Sequence, residues 1–262
     1  MGFVTGYLAS MYGLKPYPFY LEIAFAVLGL LISWLIVKDT RKFTLLEIKT
    51  QDEDKPVESN NVNVDRNLSF VRVFLQTSWK NRSLLAISQA GLVNNLIFGV
   101  SWGLFTLYFS SFGLSTNDIG LLKALHPGIC GVLQLVTGFM SDKVGRKILI
   151  FPGMFIQSIG IWTILYSQGF FEWVVVMSLL GIGTALVYPT LLAAISDISH
   201  SSWRATSLGV YRFWRDMGFV IGAIGIGVIA DLFNMFIAIQ IVAWIGVASG
   251  IVVIFLIKET NK

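Results

Sequence analysis

The stretch Gly138-Phe-Met-Ser-Asp142-Lys143-Val-Gly145-Arg146-Lys147 packs two glycines, one acid and three bases into ten residues. Long apolar runs flank it on both sides. Charge at this density is tolerated beside lipid only at the water boundary, because each ion placed in hydrocarbon costs about 3 kcal/mol or more. Backbone groups that leave a helix must also find a partner, which lipid does not offer. The stretch therefore reads as a tight loop joining two membrane spans. It sets the expected fold class: an all-α membrane protein, a polytopic helical bundle.

Composition agrees. The chain has 262 residues, 55% hydrophobic and 13% charged, with mean hydropathy +0.73; a globular domain carries about 25% charged residues. A net charge of +4 admits nucleic acid as a partner in principle. The bases, however, are dispersed at span ends rather than gathered on a soluble face, which is the pattern of membrane topology. The single cysteine, Cys130, lies in an apolar run, so neither an intramolecular disulfide nor a thiolate metal site is expected. Met1 to Ser10 lacks the basic start of a cleavable signal peptide.

A span needs about 20 apolar residues. Seven segments qualify: Tyr17–Val37, Leu84–Phe109, Ile119–Met140, Ile148–Ser167, Phe171–Ile195, Ala205–Ala230 and Met235–Ile257. The first fifteen residues are too short to cross and read as the tail of a further span. Seventeen of the nineteen lysines and arginines fall in Lys38–Ser83, Asp142–Lys147, Asp197–Arg215 and the C-terminal tail, all on one side. The alternate loops hold none. The positive-inside rule then places the C-terminus in the cytoplasm and the N-terminus outside. Residues 40–83 read as a cytoplasmic linker whose polar centre, Lys49–Asn67, is solvated; the acidic run Asp52-Glu53-Asp54 belongs to it. Phe70, Val73, Phe74 and Thr77 recur at helical spacing beside Arg72, Lys80 and Arg82, which predicts a short amphipathic helix on the membrane surface.

The pattern G-x-x-x-D-K-x-G-R-K between two spans resembles the loop signature of the major facilitator superfamily of secondary transporters. The layout agrees with it: residues 1–39 resemble the end of helix five plus helix six, and residues 84–262 helices seven to twelve. Tyr188-Pro-Thr, Ser196-Asp197 and Tyr211-Arg-Phe-Trp-Arg-Asp216-x-Gly218 resemble facilitators described as drug or sugar efflux proteins. The resemblance implies a six-helix bundle of two inverted three-helix repeats beside a midplane cavity. It also implies that Asp142 and Arg146 help hold two bundles together in one of the alternating states. The first four helices of the family pattern, with their own copy of the loop signature, have no counterpart, so a fragment or a half-transporter that pairs is expected.

The residues give roles of their own. Gly138 admits a close helix, Asp142 caps backbone N–H groups or pairs with arginine, and Gly145 permits the reversal. Arg146 and Lys147 anchor the next span at the headgroups, and for Lys143, Arg146 and Lys147 a pure topology role is the competing reading. Arg212, Arg215 and Asp216 lie well inside the sixth span. Arg212 and Asp216 share a face and can pair, giving either a structural charge network or ion coupling. Lys123 either lines a cavity, with Pro127, Cys130 or Gly131 and Gln134 continuing its face, or snorkels outward. His126 is a satisfied histidine or a proton relay. Asn94, Asn95 and Ser101, with Tyr188 before Pro189, are interhelical glue or cavity lining; the resemblance places their two helices in the cavity wall. Gly218/Gly222 and Gly246/Gly250 read as packing surfaces.

No G-x-S-x-G, H-E-x-x-H or G-x-x-x-x-G-K-[ST] motif occurs, so no enzyme, no cofactor and no ATP-driven pump is expected. The leading expectation is a facilitator moving a small solute, driven by an ion gradient, with the lipid bilayer, the solute, and an N-terminal half or second copy as partners. The lack of a densely charged cavity leans toward a neutral or lipophilic cationic solute. The alternatives are a non-transporting membrane scaffold or a seven-helix receptor-type protein. A retinal protein is disfavoured because Met235–Ile257 holds no lysine for a Schiff base.

Overall fold

The structure is a computed structural model and describes residues 17–36 and 69–257. The helices are α1 (Tyr17–Ile36), α2 (Phe70–Leu75), α3 (Arg82–Trp102), α4 (Leu104–Ser111), α5 (Thr116–Val144), α6 (Arg146–Ile164), α7 (Phe170–Ile198), α8 (Arg204–Val220), α9 (Ile226–Leu232) and α10 (Met235–Leu256). Two π-helical turns, Gln76–Lys80 and Ile221–Gly225, join α2 toward α3 and α8 to α9. No strand occurs among the described residues. Among the described residues seven helical segments are long and apolar enough to cross a membrane, each within a few residues of its expected bounds. The protein is an all-α, multi-pass membrane bundle.

Local chemistry sets the ends. The Asn81 side chain accepts from the backbone N–H of Ser83 and of Leu84, Ser115 accepts from Asp118 N–H, and Asn234 from Ile237 N–H, each taking up donors that a helix start leaves orphaned. Between α5 and α6 the chain reverses in one residue. Gly145 sits at φ +107°, where a Cβ would be strained.

The bundle is built from six spans. α3 with α4 packs on α8 and α10; α7 packs on α5 and α6; α6 meets α10 and α3 meets α7. Exchanging the first three spans for the last three leaves this set of pairs unchanged, which is the signature of an internal two-fold repeat. Glycine makes the tightest pairs. A Cβ at Gly218 or Gly222 would run into the carbonyl oxygens of Leu92 and Leu96, and one at Gly99 would lie 2.5 Å from the Phe219 carbonyl oxygen. On the mirrored pair, a Cβ at Gly181 would lie 2.9 Å from the His126 carbonyl oxygen. Gly246 and Gly250 likewise meet Ser158 and Phe155.

Burial is uneven around the bundle. In the most apolar window of α5 only 11% of residues are buried, and in that of α8–α9 17%, against 67% for α3–α4. α1 has no buried residue in its apolar window. Lys49–Asn67, the first fifteen residues and the C-terminal lysines lie outside the described residues, as does the side chain of Glu22.

The segment expected as a short amphipathic helix on the membrane surface also packs against the bundle. Val73 and Thr77 are buried, Thr77 Oγ1 is 3.0 Å from Ser207 Oγ, and Trp214 Nε1 donates to Ser78 Oγ at 2.9 Å. The Phe74 ring lies 6.2 and 6.3 Å from the rings of Phe213 and Trp214. Its face is apolar because it covers α8, not only because it meets lipid.

The glycine contacts give a direct test of the packing. Gly222→Ala forces α3 and α8 apart and is expected to destabilise the detergent-solubilised protein by about 1–3 kcal/mol, read as an earlier thermal unfolding midpoint. Gly227→Ala, whose Cβ meets no atom within 4 Å, is expected to leave the midpoint unchanged or raise it slightly through helix propensity.

Candidate functional site

Two polar features stand out, one at the charged end of the bundle and one midway along it. At the charged end, Arg146 opens α6 beside the last turn of α5 and the end of α7. Its Nη2 lies 2.6 Å from Asp142 Oδ1 and its Nε 3.0 Å from Asp197 Oδ2. Its Nη1 also donates to Ser141 Oγ. The Arg146 side chain is 13% exposed and Asp197 18%, whereas Asp142 is 61% exposed. The arginine therefore ties three helices together, and Asp142 keeps an open outer edge. Lys143 lies over the Phe139 ring, 4.5 Å from its centroid. Gly138 does not receive a close helix as expected: a Cβ there meets no atom of the described residues within 4 Å.

Midway along the bundle, α3, α5, α7 and α8 enclose a cleft of about 290 Å³. α3 lines it with Asn94, Asn95 and Phe98, and α5 with Pro127, Cys130, Gly131 and Gln134. α7 contributes Thr184 and Tyr188, and α8 Arg215. Asn94, Asn95, Gln134, Tyr188 and Arg215, marked from sequence because polar groups are costly within spans, are thus brought together. Among the described residues Arg215 is the one charged lining residue, and none of those lining the cleft is a carboxylate. Its Nη1 donates to the Tyr188 hydroxyl at 3.2 Å, and the guanidinium lies 5.3 Å from the Tyr188 ring centroid. Asn95 Nδ2 donates to the Arg215 carbonyl at 3.0 Å, tying α3 to α8.

Other expected residues lie elsewhere. Asp216 pairs with Arg215, its Oδ1 2.9 Å from Nε and 2.8 Å from Nη2. The expected partner Arg212 is exposed and does not take part. Tyr188 reaches across from α7 and fixes Arg215 where its neighbour's carboxylate is nearest. Lys123 is not among the residues that line the cleft: its Nζ donates to the Trp102 carbonyl at 2.9 Å and to Thr106 Oγ1 at 2.8 Å. The break at Gly103 between α3 and α4 leaves that carbonyl in need of a donor. His126 is buried, its Nδ1 3.3 Å from Ser101 Oγ and its Nε2 2.9 Å from Thr184 Oγ1, so it is a satisfied tie among α3, α5 and α7. Lys147 contributes to the basic end of the bundle without lining the cleft.

Sequence reasoning missed Gln157 as a site residue and did not foresee Asp197 as a partner of Arg146. Gln157 Nε2 donates to Asn94 Oδ1 at 3.0 Å. An amide in the middle of an apolar run was a visible signal, though its partner two spans away was not.

The Major Facilitator Superfamily model matches residues 87–262. The chain belongs to the Major Facilitator Superfamily. Facilitators similar to it include an uncharacterized MFS-type transporter of Methanocaldococcus jannaschii, 24% identical over 234 residues that cover 89% of this chain and 56% of that protein. The inner membrane transport protein YnfM of Escherichia coli is 24% identical over 183 residues, 69% of this chain and 43% of YnfM. The quinolone resistance protein NorA of Staphylococcus aureus is 27% identical over 121 residues, 46% of this chain and 31% of NorA. The chain thus spans about half the length of the first of these curated facilitators.

The charged end yields a ranking. Because Asp197 is the more buried partner of Arg146, Asp197→Asn is expected to lower the thermal unfolding midpoint more than Asp142→Asn. Arg146→Gln, which leaves two carboxylates without their counterion, is expected to cost about 1–3 kcal/mol, the largest loss of the three.

Proposed function

We propose that this chain supplies one bundle of a secondary transporter that moves a small solute by alternating access, with the cleft among α3, α5, α7 and α8 as one wall of the solute cavity. The observation that carries the reading is the polar cleft itself, set within the spans and bounded by two of them, α5 and α8–α9, that are the least buried of the bundle. A single bundle gives a solute one wall, so an N-terminal half or a second copy completes the cavity. The bases at the loop-bearing end favour that end, and the C-terminus, in the cytoplasm, and a cell membrane as the site. The name of the Staphylococcus aureus relative, a quinolone resistance protein, favours efflux, and an ion gradient, protons first, is the energy source.

Asp142, whose open edge faces away from its own bundle, is assigned to the opposite bundle. There a carboxylate caps a helix start and favours the state closed on the cytoplasmic side. Arg212, exposed on α8, and Lys143 are assigned to the same region of contact or to topology.

The test is flux of a fluorescent quinolone in proteoliposomes under an imposed proton gradient, the probe being suggested by the name of the Staphylococcus aureus relative. Saturable flux that collapses with the gradient is expected when this bundle is paired with a matching half, and none from the isolated monomer. Saturable uptake by the monomer overturns the half-transporter reading. In the paired protein Asp142→Asn is expected to leave insertion normal and to lower turnover about ten- to hundredfold, as loss of 1–3 kcal/mol from one of two balanced states requires. Lys143→Gln is expected to be milder. Wild-type turnover in Asp142→Asn reduces the loop to a topology signal.

A further inference from the structure

The cleft wall has a polarity. Asn94 is the deciding residue: Gln157 Nε2 donates to its Oδ1 at 3.0 Å, so its oxygen is taken and its two N–H donors are left for the cleft that it lines. Gln157 is the partner that orients this amide. It is fully buried, and its own Oε1 has no partner, so its one strong hydrogen bond is the one to Asn94. Its stem lies in a slot made by Gly183, where a Cβ would come within 2.5 Å of Gln157 Cγ. The Tyr188 hydroxyl oxygen accepts from Arg215 Nη1, which leaves its O–H to donate. Arg215 adds a cation, while the Asp216 carboxylate beside it lies off the cleft.

We propose that this wall recognises a hydrogen-bond acceptor on the solute, a carbonyl or carboxylate, with Asn94 Nδ2, the Tyr188 hydroxyl and Arg215 as donors and Gln157 as the positioning residue that fixes the Asn94 amide. The inference rests on the reading of the cleft as a solute site and narrows it: an ammonium group meets the Arg215 cation and the donors of Asn94 and Tyr188, with the Asn95 oxygen, left free by its own bond to the Arg215 carbonyl, as the one acceptor set against them. It turns the solute class from the neutral or lipophilic cationic one that the lack of a densely charged cavity suggested to an acceptor-bearing one.

Cys130 lines the same cleft and is the only cysteine of the chain, so its alkylation reports occupancy without need of transport. The probes are 1-naphthoate, 1-acetonaphthone and 1-naphthylmethylammonium, which share one ring system and differ in the polar group. With the detergent-solubilised full chain, naphthoate and acetonaphthone are expected to slow maleimide labelling of Cys130 at concentrations about tenfold lower than the ammonium compound, the factor set by one or two hydrogen bonds. Asn94→Asp keeps an oxygen for Gln157 and replaces the donors with an acceptor, and is expected to reverse the order. Gln157→Met frees the amide to turn and is expected to bring the naphthoate and ammonium values together. A purely packing role for Gln157 instead weakens all three probes alike and overturns its assignment. The unliganded labelling rate and elution volume of each variant check its fold. Ammonium protection equal to or better than naphthoate in the wild type overturns the polarity. An unchanged order in Asn94→Asp does the same. Failure of all three probes to protect Cys130 overturns it together with the reading of the cleft as a solute site.

Discussion

The close contact of α3 with α8 governs the rest of the structure. Two backbones meet there with almost nothing between them, because Gly99, Gly218 and Gly222 remove the side chains that would hold them apart. Lipid tails are as apolar as leucine, so membrane helices gain little from burying apolar surface against one another and depend on dispersion at short range. The mirrored contact of α7 with α5 uses Gly181 in the same manner. These two pairs draw α3 and α7 into the centre and leave α5 and α8 on its flank. The cleft is the gap between the pairs. Polar groups collect there because it is a mid-span region where they face neither lipid nor a tightly packed neighbour.

The charged end follows a different rule. Charge must stay near water, but Arg146 is mostly covered, and it is kept there by three oxygen-bearing partners, Ser141 and Asp142 of α5 and Asp197 of α7. A guanidinium presents several donors in a rigid fork, which is why arginine and not lysine can join three helices at once. Lys143, with a single flexible ammonium, rests on Phe139 and ties nothing together.

The spans were legible from sequence to within a few residues, because a bilayer imposes one length and one composition on every crossing helix. The cleft was partly legible for the same reason: Asn94, Asn95, Gln134, Tyr188 and Arg215 are costly in a span, so each marks a place where lipid is absent. What the pattern did not carry was partnership. The four-residue spacing of Arg212 and Asp216 offered a pair, but Tyr188 arrives from α7 and draws Arg215 to Asp216 instead. Lys123 went to a carbonyl freed by the helix break at Gly103, a feature of α3 that the periodicity of α5 does not record. Gln157 and Asp197 act across helices, and their roles come into view only once the helices are packed. The Phe70–Lys80 segment shows the same limit, since an apolar face suits lipid and a neighbouring helix equally well.

The central claim is that the polar face shared by α3, α5, α7 and α8 is wet while the outer faces of the bundle are in lipid. Spin labels in proteoliposomes read this directly through collisions with a water-soluble nickel chelate and with oxygen, which partitions into lipid. A label on Cys130 is expected to meet the nickel chelate more than oxygen. A label at position 244, introduced by Trp244→Cys on a Cys130→Ser background at the exposed face of α10, is expected to meet oxygen more. A Cys130 label that meets oxygen as readily as the label at 244, and the nickel chelate no more, would contradict the account.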